Sequence, residues 1–123
     1  MYVEYGYAIN RTRQVFLATE VRFADRFFSR LRGLLATTRK EFSDGRGLWI
    51  HPSKGVHMFG MRYPIDAVYL DHEQKVVHIE AGLRPWRVGA ICKQAEGVLE
   101  LPAGSVERTG TQVGDHVAIG EMC

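Results

Sequence analysis

The feature that most constrains this fold is how its apolar residues are parcelled. They fall into short β-favouring runs, each closed by a turn signal, with one stretch of helical period among them. Tyr5, Tyr7 and Ile9 alternate with smaller or polar residues, and Val15-Phe16-Leu17 continues the pattern beyond the polar break Asn10-Arg11-Thr12-Arg13. This predicts a β-hairpin spanning Tyr2 to Val21. Leu48-Trp49-Ile50 forms a further short run, closed by a turn at His51 to Gly55. Ala67–Leu70 and Lys75–Ile79 flank Asp71-His72-Glu73-Gln74 as a second hairpin, and Val98–Leu101 and His116–Ile119 are the last strands. Pro102-Ala103-Gly104 and Gly114-Asp115 read as turns. From Arg22 the period changes. Phe23, Phe27, Leu31, Leu34 and Leu35 recur at spacings of three and four, while Arg22, Arg26 and Arg30 mark another face, so a helix is predicted to about Ala36–Thr38. The implied class is α+β and mostly β. A curved antiparallel sheet or partial barrel of six to eight short strands carries one amphipathic helix.

With 123 residues there is room for a single domain, 1–123. The apolar share of 46% and charged share of 24% are globular proportions and exclude a disordered chain. No window reaches the ~18 uninterrupted apolar residues of a membrane span, so no membrane partner is expected. The first residues lack the basic start and apolar core of a signal peptide, and Cys92 and Cys123 are too few for a disulfide framework. Both point to the cytoplasm. On the same grounds the glycosylation pattern Asn10-Arg11-Thr12 is a chance match.

The most distinctive segment is GVHMFGMRYPID, from Gly55 to Asp66. Pro64 fixes its own φ and biases Tyr63 toward extended geometry, which delivers Asp66 at the start of a strand. Met58 and Met61 offer adaptable apolar surface, Arg62 and Asp66 offer fixed charge of both signs, and His57 can titrate. The other irregular, polar-rich stretch is residues 82–96, where Trp86 lies between Arg84 and Arg87. A Trp beside guanidinium groups can stack a planar ligand or hold an anion; it can equally plug one end of a barrel. The expectation is a binding module in which His57, Met61, Arg62, Asp66, Trp86 and Arg87 line one pocket for a small anionic ligand or a peptide end. The bland alternative is an Arg62–Asp66 ion pair that merely holds the loop, with His57 a hydrogen-bonded core histidine.

At the level of these motifs the chain resembles the domain of unknown function 192 family of bacteria and archaea. The resemblance rests on Arg30, Arg32-Gly33-Leu34-Leu35, Gly47-Leu48-Trp49-Ile50, His57 and Phe59-Gly60-Met61-Arg62. It continues through Pro64-Ile65-Asp66, Leu70-Asp71, Pro85-Trp86-Arg87, Leu99-Glu100-Leu101-Pro102-Ala103-Gly104 and Gly114-Asp115, covering about Ala18 to Ile119. Met58 departs from the pattern, which has a small residue such as Thr there, and Leu35-Ala36-Thr37-Thr38 is also atypical. The resemblance implies a compact, mostly β fold and no particular activity.

Two rival readings remain. In the first, a hydrolase or isomerase uses Asp66 or Glu100 as general base and Arg62 or Arg87 to stabilise an oxyanion. Glu100 alternates with Leu99 and Leu101, so it is either solvated or lines a cavity. In the second, a partner-binding domain docks through its basic helix face. Residues 11–40 hold eight Lys or Arg against Glu20 and Asp25, a net of +6 within a chain of +2. Nucleic acid is the less favoured polyanion, because the aromatics of that helix fall on its apolar face and cannot stack bases. Five histidines show no zinc spacing, so no metal is expected. No phosphate-loop, dinucleotide or nucleophile-elbow motif is present, so no cofactor is expected, and Cys92 reads as a structural thiol. Oligomeric state has no signature here.

Overall fold

The computed structural model describes residues 5–24, 42–56, 58 and 62–121. Seven strands form one curled sheet: β1 (Tyr5–Asn10), β2 (Val15–Ala24), β3 (Arg46–Ile50), β4 (Ile65–Leu70), β5 (Val76–Leu83), β6 (Gly97–Pro102) and β7 (Val117–Glu121). Their order is β5-β4-β6-β3-β2-β1-β7. All pairs are antiparallel except β2 and β3, which run parallel, so the expected antiparallel sheet carries one parallel pair. The edge strands approach at one corner, where Lys75 and His116 bridge and the Val76 and Val117 amides donate to Asp115 and Gln74 carbonyls. That seam curls the sheet into a partial barrel.

Strand alternation then decides which side chains meet. Ala8, Leu17, Val21, Val68, Leu70, Val76, Leu99, Leu101 and Val117 point into the curl and form the main core. On the outer face of β4–β6, a second cluster of Val56, Ala67, Tyr69, Ala95 and Val98 is covered by the loops before β4 and after β5. Met58, Tyr63 and Ile65 form a third. Because β4 and β6 are covered on both faces, every residue in them is buried.

Two sequence expectations change. The helical period predicted from Arg22 begins too early, because Arg22–Ala24 complete β2 and pair with β3. The rest of that predicted helix, including Arg26, Arg30 and the other basic positions to Lys40, lies outside the described residues. The one helix among the described residues is α1 (Ser105–Thr109), which follows the Pro102-Ala103-Gly104 turn. Its five residues are too few for apolar periodicity to show, and its caps are glycines, Gly104 at φ 95° and Gly110 at φ 71°. The Asn10-Arg11-Thr12 match is explained sterically. Asn10 is fully buried and donates to Asp115 and Thr111.

Candidate functional site

Of the six residues expected in one pocket, His57 and Met61 lie outside the described residues, Arg62 is exposed, and Asp66 is separated by the sheet from Trp86 and Arg87. Asp66 belongs to β4, and alternation places it on the inner face with Val68 and Leu70, at 1% exposure. Its Oδ1 accepts the Gly82 N–H at 2.8 Å, and its Oδ2 accepts the N–H groups of Gly104 at 3.1 Å and Val106 at 2.9 Å. The helix-capping residue Gly104 has no side chain, so α1 takes its cap from a carboxylate on β4. Gly82 sits at φ 65° where the β4–β5 register slips, and the same carboxylate fastens this bulge. Among the described residues no ion pair joins exposed Arg62 to Asp66, so the predicted loop-holding pair is replaced by three backbone amides. This is a structural role, and it removes Asp66 as a general base.

Trp86 and Arg87 do meet the distinctive segment. The Met58 amide donates to the Arg87 carbonyl and the Trp86 amide to the Met58 carbonyl, both at 2.8 Å. Gly89 to Val56 and Cys92 to Lys54 continue the ladder, also at 2.8 Å. The described residues 54, 56 and 58 thus pair with 86–92 as one two-stranded flap over the outer face. Trp86 does not plug the barrel; it is 67% exposed with its backbone at φ 67°, and Arg87 is exposed beside it. A bulky residue in the left-handed region costs ~1–3 kcal/mol and persists only where its surroundings over-determine it. Arg62 is exposed and precedes Tyr63, which packs with Met58.

A polar group beneath the flap escaped the sequence reading. Facing Ala67 on the outer surface are Glu80 of β5 and Glu100 of β6, and Tyr69 lies opposite His78. The Tyr69 hydroxyl donates to the Ala90 carbonyl at 2.7 Å, while the Ala90 amide donates to Glu80 Oε1 at 3.0 Å. His78 Nε2 lies 3.2 Å from the same oxygen, and its ring meets the Tyr69 ring edge-on at 4.9 Å. Burial pushes the Tyr69 phenol well above its ordinary range, and nearby Glu80, Cys92 and Glu100 oppose the phenolate further. Tyr69 therefore remains a donor, and with Glu80 it clasps both polar atoms of one flap residue. A Cβ on Gly89 would come within 2.7 Å of the Tyr69 oxygen, so any side chain there must displace the hydroxyl that seats the flap. Glu100, at 1% exposure, is not solvated. Cys92 is half-buried against the outer cluster. The available signal was the Asp71–Gln74 hairpin, whose register sets His78 and Glu80 across from Tyr69 and Ala67.

Among the described residues, two clefts lie elsewhere. One of 390 Å³ is lined by Phe42, Ser43, Asp44, Tyr63, Pro64, Pro102 and Ala103, and one of 370 Å³ lies at the seam between Arg11, Glu73 and His116. None of the six expected residues lines either. Among the described residues no group of three or more His, Cys, Asp or Glu is arranged to hold a metal ion, and no helix is long and apolar enough to cross a membrane.

Comparison with known proteins follows the same outline. The family model for DUF192, described as an uncharacterised ACR family, matches residues 8–119. A UPF0127 protein of Thermococcus sibiricus is 32% identical over 89% of this chain and 71% of its own length. One from Pyrococcus furiosus is 31% identical over 93% and 98%. Among solved structures, a candidate transcription regulator from Sinorhizobium meliloti superposes with a TM-score of 0.74 at 21% identity, covering 96% of this chain and 94% of its own. A protein of unknown function from Novosphingobium aromaticivorans gives 0.70 at 19% identity, covering 94% and 84%. At such identities these structures speak for the fold alone.

Proposed function

The chain belongs to the DUF192 family, which carries no assigned activity, and from its own geometry we propose a binding module that takes an anionic group on the flap. The ligand class is a small anion or a carboxylate peptide end, held by Arg87 and covered by the Trp86 indole. One observation carries this reading: Trp86 is held exposed at φ 67° on a flap fixed by the Met58 ladder. Backbone strain kept on an exposed aromatic next to a guanidinium is characteristic of recognition surfaces. The Asp66 contacts argue against its use in catalysis. A cytoplasmic setting belongs to the same proposal, supported by the free thiol of Cys92.

The test uses the full chain in a Trp49→Phe background, so that fluorescence reports Trp86. Inorganic phosphate, citrate and a short acidic peptide are titrated at low and at ~0.15 M salt, where screening acts over ~8 Å. A saturable response that weakens with salt and falls at least ~10-fold in Arg87→Ala is expected, about the ~1.4 kcal/mol of one exposed charged contact. No response to any of the three, or one indifferent to Arg87→Ala, overturns the reading.

A further inference from the structure

The flap carries more than one exposed aromatic. Trp86, Val88 and Ile91 are 67%, 62% and 78% exposed, three large apolar side chains within six residues. Single exposed apolar residues are ordinary, but a cluster on one loop is not. The loop is also fixed in place. Gly89 and Cys92 donate to Val56 and Lys54 carbonyls, and Ala90 is clasped by Tyr69 and Glu80. These side chains are presented by a seated loop rather than exposed by fraying.

Cations surround the apolar tip. Arg84, Arg87 and Lys93 are exposed within the loop, and Lys54 joins them through hydrogen bonds to the Lys93 and Ala95 carbonyls. The loop's acid, Glu96, lies at its far end beside His51, and Glu80 is engaged by the Ala90 amide and His78. A seated loop that exposes apolar and cationic side chains together complements a surface that is apolar inside and anionic at its face. We infer that the flap seats on an anionic lipid bilayer, Trp86, Val88 and Ile91 entering the headgroup–acyl boundary while Arg84, Arg87 and Lys93 meet lipid phosphates. The inference rests on the binding reading above and names its anion. Long cationic stems can lie along the apolar tip and still reach the headgroups. An indole is at home at that depth, ~5–10 Å into the interface. Surface contact needs no spanning segment.

The experiment is flotation of the full chain with vesicles of phosphatidylcholine alone or with about 30% phosphatidylglycerol, at up to ~1 mM lipid, a range set by the weakness of single-loop anchors. Partition to the anionic vesicles is expected, with a blue shift of Trp86 emission. Ile91→Asp should reduce it at least ~10-fold, Arg87→Ala about fivefold, and Arg108→Ala, at an exposed position of α1, not at all. Binding indifferent to Ile91→Asp overturns the apolar insertion. Absence of partition, with phosphate or acidic peptide still bound, overturns the bilayer and leaves the binding module standing. Absence of both removes the two together.

Discussion

Replacing Asp66 by Asn changes one oxygen into an amino group at a site with 1% exposure. In the native chain the carboxylate accepts from Gly82, Gly104 and Val106 at 2.8, 3.1 and 2.9 Å. The single carbonyl of Asn can serve the Gly104–Val106 pair, since both bond to one oxygen, and its NH2 then faces the Gly82 N–H, donor against donor. Hydrogen bonds to charged groups are worth ~1.5–3 kcal/mol and neutral ones ~0.5–1.5, so two bonds weaken by about 1 kcal/mol each. The third is lost, at ~1–3 kcal/mol for a donor left unsatisfied. Gly82 is exposed enough for water to repair part of that, and the desolvation cost of the charge disappears. The net expectation is a loss of ~2–4 kcal/mol from a total of ~5–15. Urea unfolding followed by circular dichroism measures it, and the midpoint should fall with little change in slope. The folded variant should keep its response to anions, because Asp66 faces the core rather than the flap. A loss below ~1 kcal/mol, accompanied by loss of anion binding, would falsify the division of the sheet into a structural inner face and a recognition outer face.

Three further outcomes follow from particular contacts. Tyr69→Phe removes the hydroxyl that holds the Ala90 carbonyl, costing ~1 kcal/mol, and amide exchange should quicken at Gly89 and Cys92 while β1 and β7 stay protected. Gly89→Ala sets a methyl against the Tyr69 oxygen and Val56, so the same amides should exchange faster and Trp86 emission should shift; unchanged spectra would mean that the flap does not depend on this seat. Asp115 governs acid stability. Burial alone raises its pKa, but hydrogen bonds from Asn10, Arg13 and the Gln112 amide, with the Arg13 charge, outweigh that and hold it below the usual carboxylate range. An acid held below its unfolded value contributes stability above that value and loses it as pH falls through the folded one, so Tm should decline below about pH 4. Asp115→Asn should lower Tm at neutral pH and flatten the decline; an equally steep acid limb would assign it to other groups, Asp71 first.

How much of this was legible depended on the reach of each signal. Alternation and turn chemistry act over a few residues; they located both hairpins and set the short runs at 48–50, 67–70 and 98–101 within a residue or two of β3, β4 and β6, whereas β2 and β5 run on past the expected Val21 and Ile79 to Ala24 and Leu83. α1 escaped because five residues closed by glycines leave no period, and its cap comes from 38 positions away. Pairing of residues 54, 56 and 58 with 86–92 was foreseen only as a convergence of two odd compositions. Backbone ladders between irregular segments leave no pattern in side-chain identity, so the Met58–Trp86 exchange could not be read directly.

Asp66 shows most sharply why composition misleads about sites. A His, an Arg and an Asp in one short segment suggest convergence, but Asp66 opens a strand, and there each step of one residue reverses the face. Ile65 joins Met58 and Tyr63 outside, while Asp66 turns inward to hold α1 and the Gly82 bulge. The same rule, applied across the hairpin register, sets Tyr69 and His78 together beneath the flap. The outer polar group was thus encoded by pairing rather than by proximity in the chain. Variants that change recognition without unfolding the chain should therefore concentrate at exposed flap positions such as Trp86, Arg87 and Ile91. Substitutions at Asp66 or Asp115 should act first on stability.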